Sequence, residues 1–195
     1  METEQMVGQI LDRFNESSDG HVVDLGTGTG AILLSLCNAL EHSIGTGFDK
    51  SQNAIELARE NLRGKICEKR VCFELMDWND LTPKTLGDAI HLVVSNPPYL
   101  TEHEWSDSMP EVWEHDPKSA LVAEENGLAD IFKVIEVSSI LLVKGGLFVM
   151  EIGKGQAKKI EDQVKLFYSR FEFSKDLHGV RRFLWASKDS KFPWD

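Results

Sequence analysis

The sequence predicts an α/β fold, with a mostly parallel sheet that finishes in an antiparallel pair of strands. Three observations carry that expectation. Short apolar runs alternate with segments whose apolar residues recur at helical spacing, the pattern of strand–helix–strand crossovers. The first such run leads straight into Asp24-Leu25-Gly26-Thr27-Gly28-Thr29-Gly30, a glycine-rich turn. Near the C-terminus, His178-Gly179 lies between two aromatic-rich runs, as in a tight antiparallel return.

Met6, Val7, Ile10, Leu11 and Phe14 predict a helix from about Glu4 to Phe14, broken by Ser17-Ser18-Asp19-Gly20. His21 to Leu25 is the first strand. A helix follows from Thr29, with Ile32, Leu33, Leu36 and Leu40 on one face. Ile44 to Asp49 is the second strand, and Ser51 can cap the next helix, which buries Ile55, Ala58 and Leu62. Val71 to Leu75 and Ala89 to Ser95 are the third and fourth strands. Ile131, Val134, Ile135, Ser138 and Leu141 mark a helix that Gly145-Gly146 ends, ahead of the strand Leu147 to Glu151. Lys154 to Tyr168 reads as the last helix, and Phe171 to Phe173 with Phe183 to Ala186 as the closing strands, seven in all. Right-handed crossovers make such a sheet parallel, and its ligands sit outside the carboxyl ends of the strands, at the topological switch point.

The 195 residues suit a single domain over 1–195. A formal net charge of -11 argues against a surface that grips nucleic-acid phosphates. No apolar stretch approaches the ~20 residues that span a bilayer, so no membrane partner is expected. Cys37, Cys67 and Cys72 have no CxxC spacing. They read as unpaired, buried thiols of a reducing, intracellular compartment, cytoplasm or mitochondrial matrix. The six histidines lack metal-ligand spacing, and no metal is expected. Trp105 and Trp113 fit a substrate mouth or a local apolar cluster equally well. Glu124-Glu125 reads as a helix start.

Gly26 and Gly28 let the backbone turn tightly against a ligand, and Gly30 allows the next helix to pack closely with its amides facing that ligand. Thr27 and Thr29 belong to the same cradle. Asp24 is placed to attract a ligand ammonium, and Asp49 ends the second strand at the distance where an acid reaches ribose hydroxyls. The same spacing satisfies the looser dinucleotide fingerprint, so a nicotinamide cofactor competes here. Asp77 and Trp78 follow the third strand. They suit an adenine amine and an adenine face, and suit equally a loop acid beside a core aromatic.

Asn96-Pro97-Pro98-Tyr99 ends the fourth strand. Pro97 and Pro98 fix φ and restrict the residues before them, so this corner is stiff. An amide or exocyclic amine is a poor nucleophile because its lone pair is delocalised. A site that alkylates one needs acceptors aimed at its N–H bonds, both to orient it and to stabilise the charge developing on nitrogen. The Asn96 side-chain oxygen and the Pro97 carbonyl are two such acceptors. Tyr99 offers a flat face to a planar group.

At these residues the chain resembles the class I methyltransferases, and among them the HemK/PrmC-type protein-(glutamine-N5) methyltransferases. Three further stretches are similar to that family. They are Pro110-Glu111-Val112 with Glu114 to Leu121, then Gly127-Leu128, and Asp176-Leu177-His178-Gly179-Val180-Arg181-Arg182. The resemblance implies a Rossmann-like, doubly wound, mostly parallel seven-stranded sheet with an antiparallel C-terminal pair. It implies S-adenosyl-L-methionine as cofactor, held by Gly26 to Gly30, Asp49, Trp78 and Asn96, with Asp24 and Asp77 beside them. It implies that Asn96, Pro97, Pro98 and Tyr99 hold a glutamine amide from the Gly-Gly-Gln loop of a peptide chain release factor. The family's N-terminal helical recognition domain is not expected within 1–195. Met1-Glu2-Thr3-Glu4 is similar to the tail of the family's Arg-Pro-acid-Thr-Glu linker. An adenine-N6 methyltransferase of DNA or RNA shares the tetrapeptide but not the later stretches. A nicotinamide-dependent oxidoreductase leaves the tetrapeptide without a task.

Overall fold

A computed structural model describes residues 2–13, 20–86, 89–99 and 128–192. Its elements run α1 (Glu2–Arg13), β1 (His21–Leu25), α2 (Ala31–Ala39), β2 (Ile44–Asp49), α3 (Gln52–Leu62), β3 (Val71–Leu75), α4 (Pro83–Leu86), β4 (Ile90–Ser95), α5 (Ala129–Leu141), β5 (Leu142–Glu151), α6 (Ala157–Phe167), β6 (Arg170–Lys175) and β7 (Arg181–Ser187). Seven strands among the described residues form one sheet, in the order β3-β2-β1-β4-β5-β7-β6. All pairs from β3 to β5 are parallel. β7 enters antiparallel between β5 and β6.

The alternation of side chains across each strand explains why helices cover both faces. Val22, Leu92, Val94, Leu147 and Val149 face one layer, where Met6 and Ile10 of α1, Leu33 and Leu36 of α2 and Ile55 of α3 are buried. Val23, Leu25, Val93, Phe148 and Met150 face the other, filled by Ile131, Val134 and Ile135 of α5 and Ile160 and Val164 of α6. Near-continuous apolar runs are what strands buried on both sides require, as in β1 and β4, and the first four strands lie within a residue of where the sequence places them. Ser51 caps α3 as expected, its hydroxyl accepting from the Ala54 amide at 3.3 Å. The Asp176 carboxylate accepts the amides of His178 and Val180, closing the β6–β7 return.

Several expectations need correction. Gly145-Gly146 does not end α5. The helix stops at Leu141, where the Leu142 amide still donates to the Ser138 carbonyl, and β5 begins at once. The pairing then jumps from Ile90↔Leu142 to Leu92↔Leu147, so the glycines form a bulge inside the strand. The last helix is shorter than Lys154 to Tyr168, because Lys154 and Gly155 form a turn ahead of Ala157. Cys37 and Cys67 are buried, but Cys72 is exposed, on the outward side of β3. Phe14, Ser17 to Asp19, Trp105, Trp113, Glu124-Glu125 and the family-like stretch from Pro110 to Gly127 lie outside the described residues. Among the described residues no helix is long and apolar enough to cross a membrane.

Gly30 joins β1's turn to α2 with φ +79°, and a Cβ there would sit 2.6 Å from the Phe73 ring and 3.3 Å from Ala58. Left-handed backbone and close packing are thus demanded at one position. Gly30→Ala is expected to destabilise the domain by about 2 kcal/mol or more, read from its urea midpoint at unchanged slope.

Candidate active site

The site is built at the switch point of the sheet. β1 lies between β2 and β4, and the chain leaves β1 toward one side of the sheet and β4 toward the other. The glycine turn follows β1 and the Asn96 corner follows β4, paired at Leu25↔Ser95. Two motifs about seventy residues apart in sequence therefore stand side by side at the carboxyl ends of neighbouring strands, where α/β sheets bind ligands. Ser95 ties them directly: its hydroxyl donates to the Leu25 carbonyl at 2.6 Å.

The turn is held from β2. The amides of Gly26 and Thr27 both donate to the Phe48 carbonyl at 2.9 Å, and the Gly28 amide donates to Asp49 Oδ2 at 2.9 Å. The Ser51 amide takes Asp49 Oδ1 at 2.8 Å. Each carboxylate oxygen keeps a further lone pair for a hydroxyl donor. Gly26, Gly28 and Gly30 all have positive φ. A Cβ on Gly26 would lie 2.9 Å from the Trp78 ring, whereas one on Gly28 would meet nothing within 4 Å. The turn thus has a packed side at Trp78 and an open side at Gly28. Thr29 is exposed, and its carbonyl accepts from Asn61 Nδ2 at 3.0 Å.

Asp24 is fully buried beneath this turn. Oδ2 accepts from the Thr27 hydroxyl at 2.7 Å, while Oδ1 makes no full hydrogen bond among the described residues. Burial lifts its pKa to about 7, against the Thr27 hydrogen bond and a weak pull from the Leu33 amide, and with help from the nearby Asp49 charge. A buried carboxylate with an open oxygen suits a cationic donor, and this orphaned atom fits a cofactor carrying an ammonium group. Asp77 caps the short 3-10 turn Trp78–Asp80, with Oδ1 accepting from the Asn79 amide and side chain. Trp78 joins the core, with Lys50 Nζ 6.0 Å from its ring centroid.

In the corner, Pro97 is buried and Asn96, Pro98 and Tyr99 are half-buried. The Tyr99 hydroxyl donates to Glu151 Oε1 at 3.2 Å, and its carbonyl accepts from Gln156 Nε2 at 3.0 Å. Asn96 Nδ2 donates to the Thr3 hydroxyl at 3.3 Å. Burial, then Glu151, raises the Tyr99 pKa, which keeps the phenol protonated. Burial also raises that of Glu151, opposed by the hydroxyls of Tyr99 and Thr3. A depression of about 340 Å³ lined by His21, Thr46, Lys69, Arg70 and Thr85 shares no residue with this site.

Residues 7–124 match the methyltransferase small domain family. The chain belongs to that family. It is 41% identical over 182 residues to the release factor glutamine methyltransferase of Vibrio cholerae, covering 93% of this chain and 62% of that protein. To the Bacillus cereus protein of the same name it is 33% identical over 193 residues, covering 96% of this chain and 67% of that one. The chain thus spans 62% of the Vibrio cholerae relative's own length. Its fold is like that of magnesium protoporphyrin IX methyltransferase from Synechocystis PCC 6803, solved with bound SAM. The TM-score is 0.62 at 14% identity, covering 96% of this chain and 78% of that one.

Sequence reasoning brought together the turn, Asp24, Asp49 and the corner, but missed Thr3, Glu151 and Gln156. Glu151 carried one usable signal. It closes the apolar run Leu147 to Met150, and an acid that is only 2% exposed needs partners. Thr3 and Gln156 carried none, since they reach the site from α1 and from the turn before α6.

Proposed function

We propose that this domain is an S-adenosylmethionine-dependent methyltransferase whose acceptor is the side-chain amide nitrogen, N5, of the glutamine in a release factor's Gly-Gly-Gln loop. The single observation that carries the reading is the adjacency of the glycine turn and the Asn96 corner across β1 and β4. When bound, S-adenosylmethionine supplies an electrophilic methyl group on a sulfonium. Asp24 pairs with the cofactor's ammonium, Asp49 with its ribose hydroxyls, and Asp77 and Trp78 border its adenine. Asn96 Oδ1 and the Pro97 carbonyl accept the two N–H bonds of the glutamine amide, which turns the nitrogen toward the methyl and stabilises the positive charge that grows there. Tyr99 gives the amide a flat wall, fixed by its hydroxyl's bond to Glu151. The methylated nitrogen is acidic enough to lose its proton to solvent afterwards, so no strong base is required.

The relatives' name supports the choice of acceptor, and the net charge of -11 disfavours a nucleic-acid substrate. The test is incubation with methyl-labelled S-adenosylmethionine and a purified release factor, followed by peptide mapping. Label on the Gly-Gly-Gln glutamine is expected. Label on an adenine oligonucleotide and none on protein would overturn the acceptor. Thermal stabilisation by NAD and not by S-adenosylhomocysteine would overturn the cofactor.

A further inference from the structure

Glu151 closes β5 beside Met150, which pairs with Ser95 of β4, and Asn96 follows Ser95. The two side chains therefore leave neighbouring strands at the same level. Thr3, in the first turn of α1, bridges them. Asn96 Nδ2 lies 3.3 Å from Thr3 Oγ1, and Thr3 Oγ1 lies 3.2 Å from Glu151 Oε2. The Tyr99 hydroxyl takes the other carboxylate oxygen at 3.2 Å.

The direction of these bonds is fixed by proton count. Both Glu151 oxygens accept hydroxyl protons, from Tyr99 and Thr3, so the carboxylate is the acceptor here although burial raises its pKa, and a threonine hydroxyl has one proton. Thr3 gives that proton to Glu151, so toward Asn96 it can only accept. Asn96 must then turn its NH2 to Thr3, which leaves Oδ1 on the opposite side of the amide. The two ends of an asparagine amide are nearly equal in size, so packing alone does not choose between them; hydrogen bonds do. The choice matters because an NH2 presented to a substrate NH2 sets donor against donor. We propose that Glu151, acting through Thr3, is the positioning residue that keeps the Asn96 oxygen facing the acceptor amine. Its catalytic consequence rests on the methyl-transfer reading above. Glu151 touches neither substrate nor cofactor in this account.

The test uses the full 195-residue chain with Thr3→Val, which keeps the shape and removes the hydroxyl, Thr3→Ser, which keeps the hydroxyl, and Glu151→Gln. At saturating methyl donor, kcat is expected to fall about tenfold in Thr3→Val and Glu151→Gln, with KM for the donor within about twofold of wild type. Thr3→Ser should recover to within about threefold. A readout independent of turnover is the Asn96 side-chain amide signal in a nitrogen–proton correlation spectrum, assigned by its loss in Asn96→Ala. That signal should move in Thr3→Val and Glu151→Gln and lie near its original position in Thr3→Ser. Melting curves report whether each variant folds, and Thr3→Val with Thr3→Ser suffices should Glu151→Gln not fold. An amide signal that stays put in Thr3→Val, or a Thr3→Ser no better than Thr3→Val, overturns the relay. If wild type transfers no methyl, the functional reading fails while the amide signal still decides the positioning.

Discussion

Asn96→Ala is expected to lower the rate of methyl transfer at saturating cofactor by about 10²-fold, by analogy with the loss of one preorganised partner of transition-state charge. The physical reason is that the attacking nitrogen begins almost neutral and ends positive. An acceptor aimed at its N–H bonds gains strength as the reaction proceeds, so its loss falls on kcat more than on binding. Asn96 is half-buried, and its side-chain amide donates to the Thr3 hydroxyl at 3.3 Å. Truncation therefore costs stability only about 1 kcal/mol, the ordinary worth of one hydrogen bond. A melting curve near that of wild type, together with the slow rate, assigns the loss to chemistry. Cofactor affinity is followed separately by titration with S-adenosylhomocysteine, and only a modest weakening is expected. A variant that turns over at the wild-type rate would mean that the acceptor lies elsewhere and that the corner is only a rigid end to β4.

The parts of this molecule that were legible in the sequence are those in which one stretch of chain does the whole job. β1 and β4 are short, apolar and buried almost throughout, and β2 and β3 bury enough of their residues for hydrophobic pattern to bound them too. The glycine turn was readable because positive φ at three nearby positions demands glycine. The diproline corner was readable because stiffness is a local property. What failed was local pattern read too literally. Gly145-Gly146 looks like a helix stop, yet Leu142 and Val143 are apolar enough to start the strand early and leave the glycines to bulge. The support of the site was illegible for a different reason. Thr3, Glu151, Gln156 and Arg182 meet the corner or its neighbours across separations of 30 to 148 residues. No window of sequence holds two of them with Asn96. Only the register of β4 against β5, and the placing of α1 over the strand ends, brings them together. Asp24 shows the intermediate case: the sequence places it at the turn, but not its complete burial, which depends on the packing around it.

That burial gives Asp24 the second large effect. Its folded pKa is raised from 3.8 to about 7, with burial the leading cause. Between those values the folded free protein holds a proton that the unfolded chain has lost. The stability this group contributes is thus full below its unfolded pKa and declines as pH rises through about 7. Asp24→Asn, which needs no ionisation, is expected to gain in melting temperature relative to wild type between pH 5 and pH 8. Binding of a ligand ammonium reverses the preference, because the pair needs the carboxylate ionised. Below its pKa the protein must release a proton to bind. Affinity for S-adenosylmethionine should therefore weaken about tenfold for each pH unit below about 7, and level off above it. In Asp24→Asn the affinity should be at least about tenfold weaker at pH 8 and nearly independent of pH below it. Calorimetric titration at several pH values, in buffers of different ionisation enthalpy, reads both the affinity and the released proton. A wild-type affinity as flat as that of Asp24→Asn, with no proton released, would show that the ammonium binds somewhere other than Asp24. The fully buried carboxylate would then be a liability of the fold, with its open oxygen left unexplained, rather than the anchor at the β1 turn.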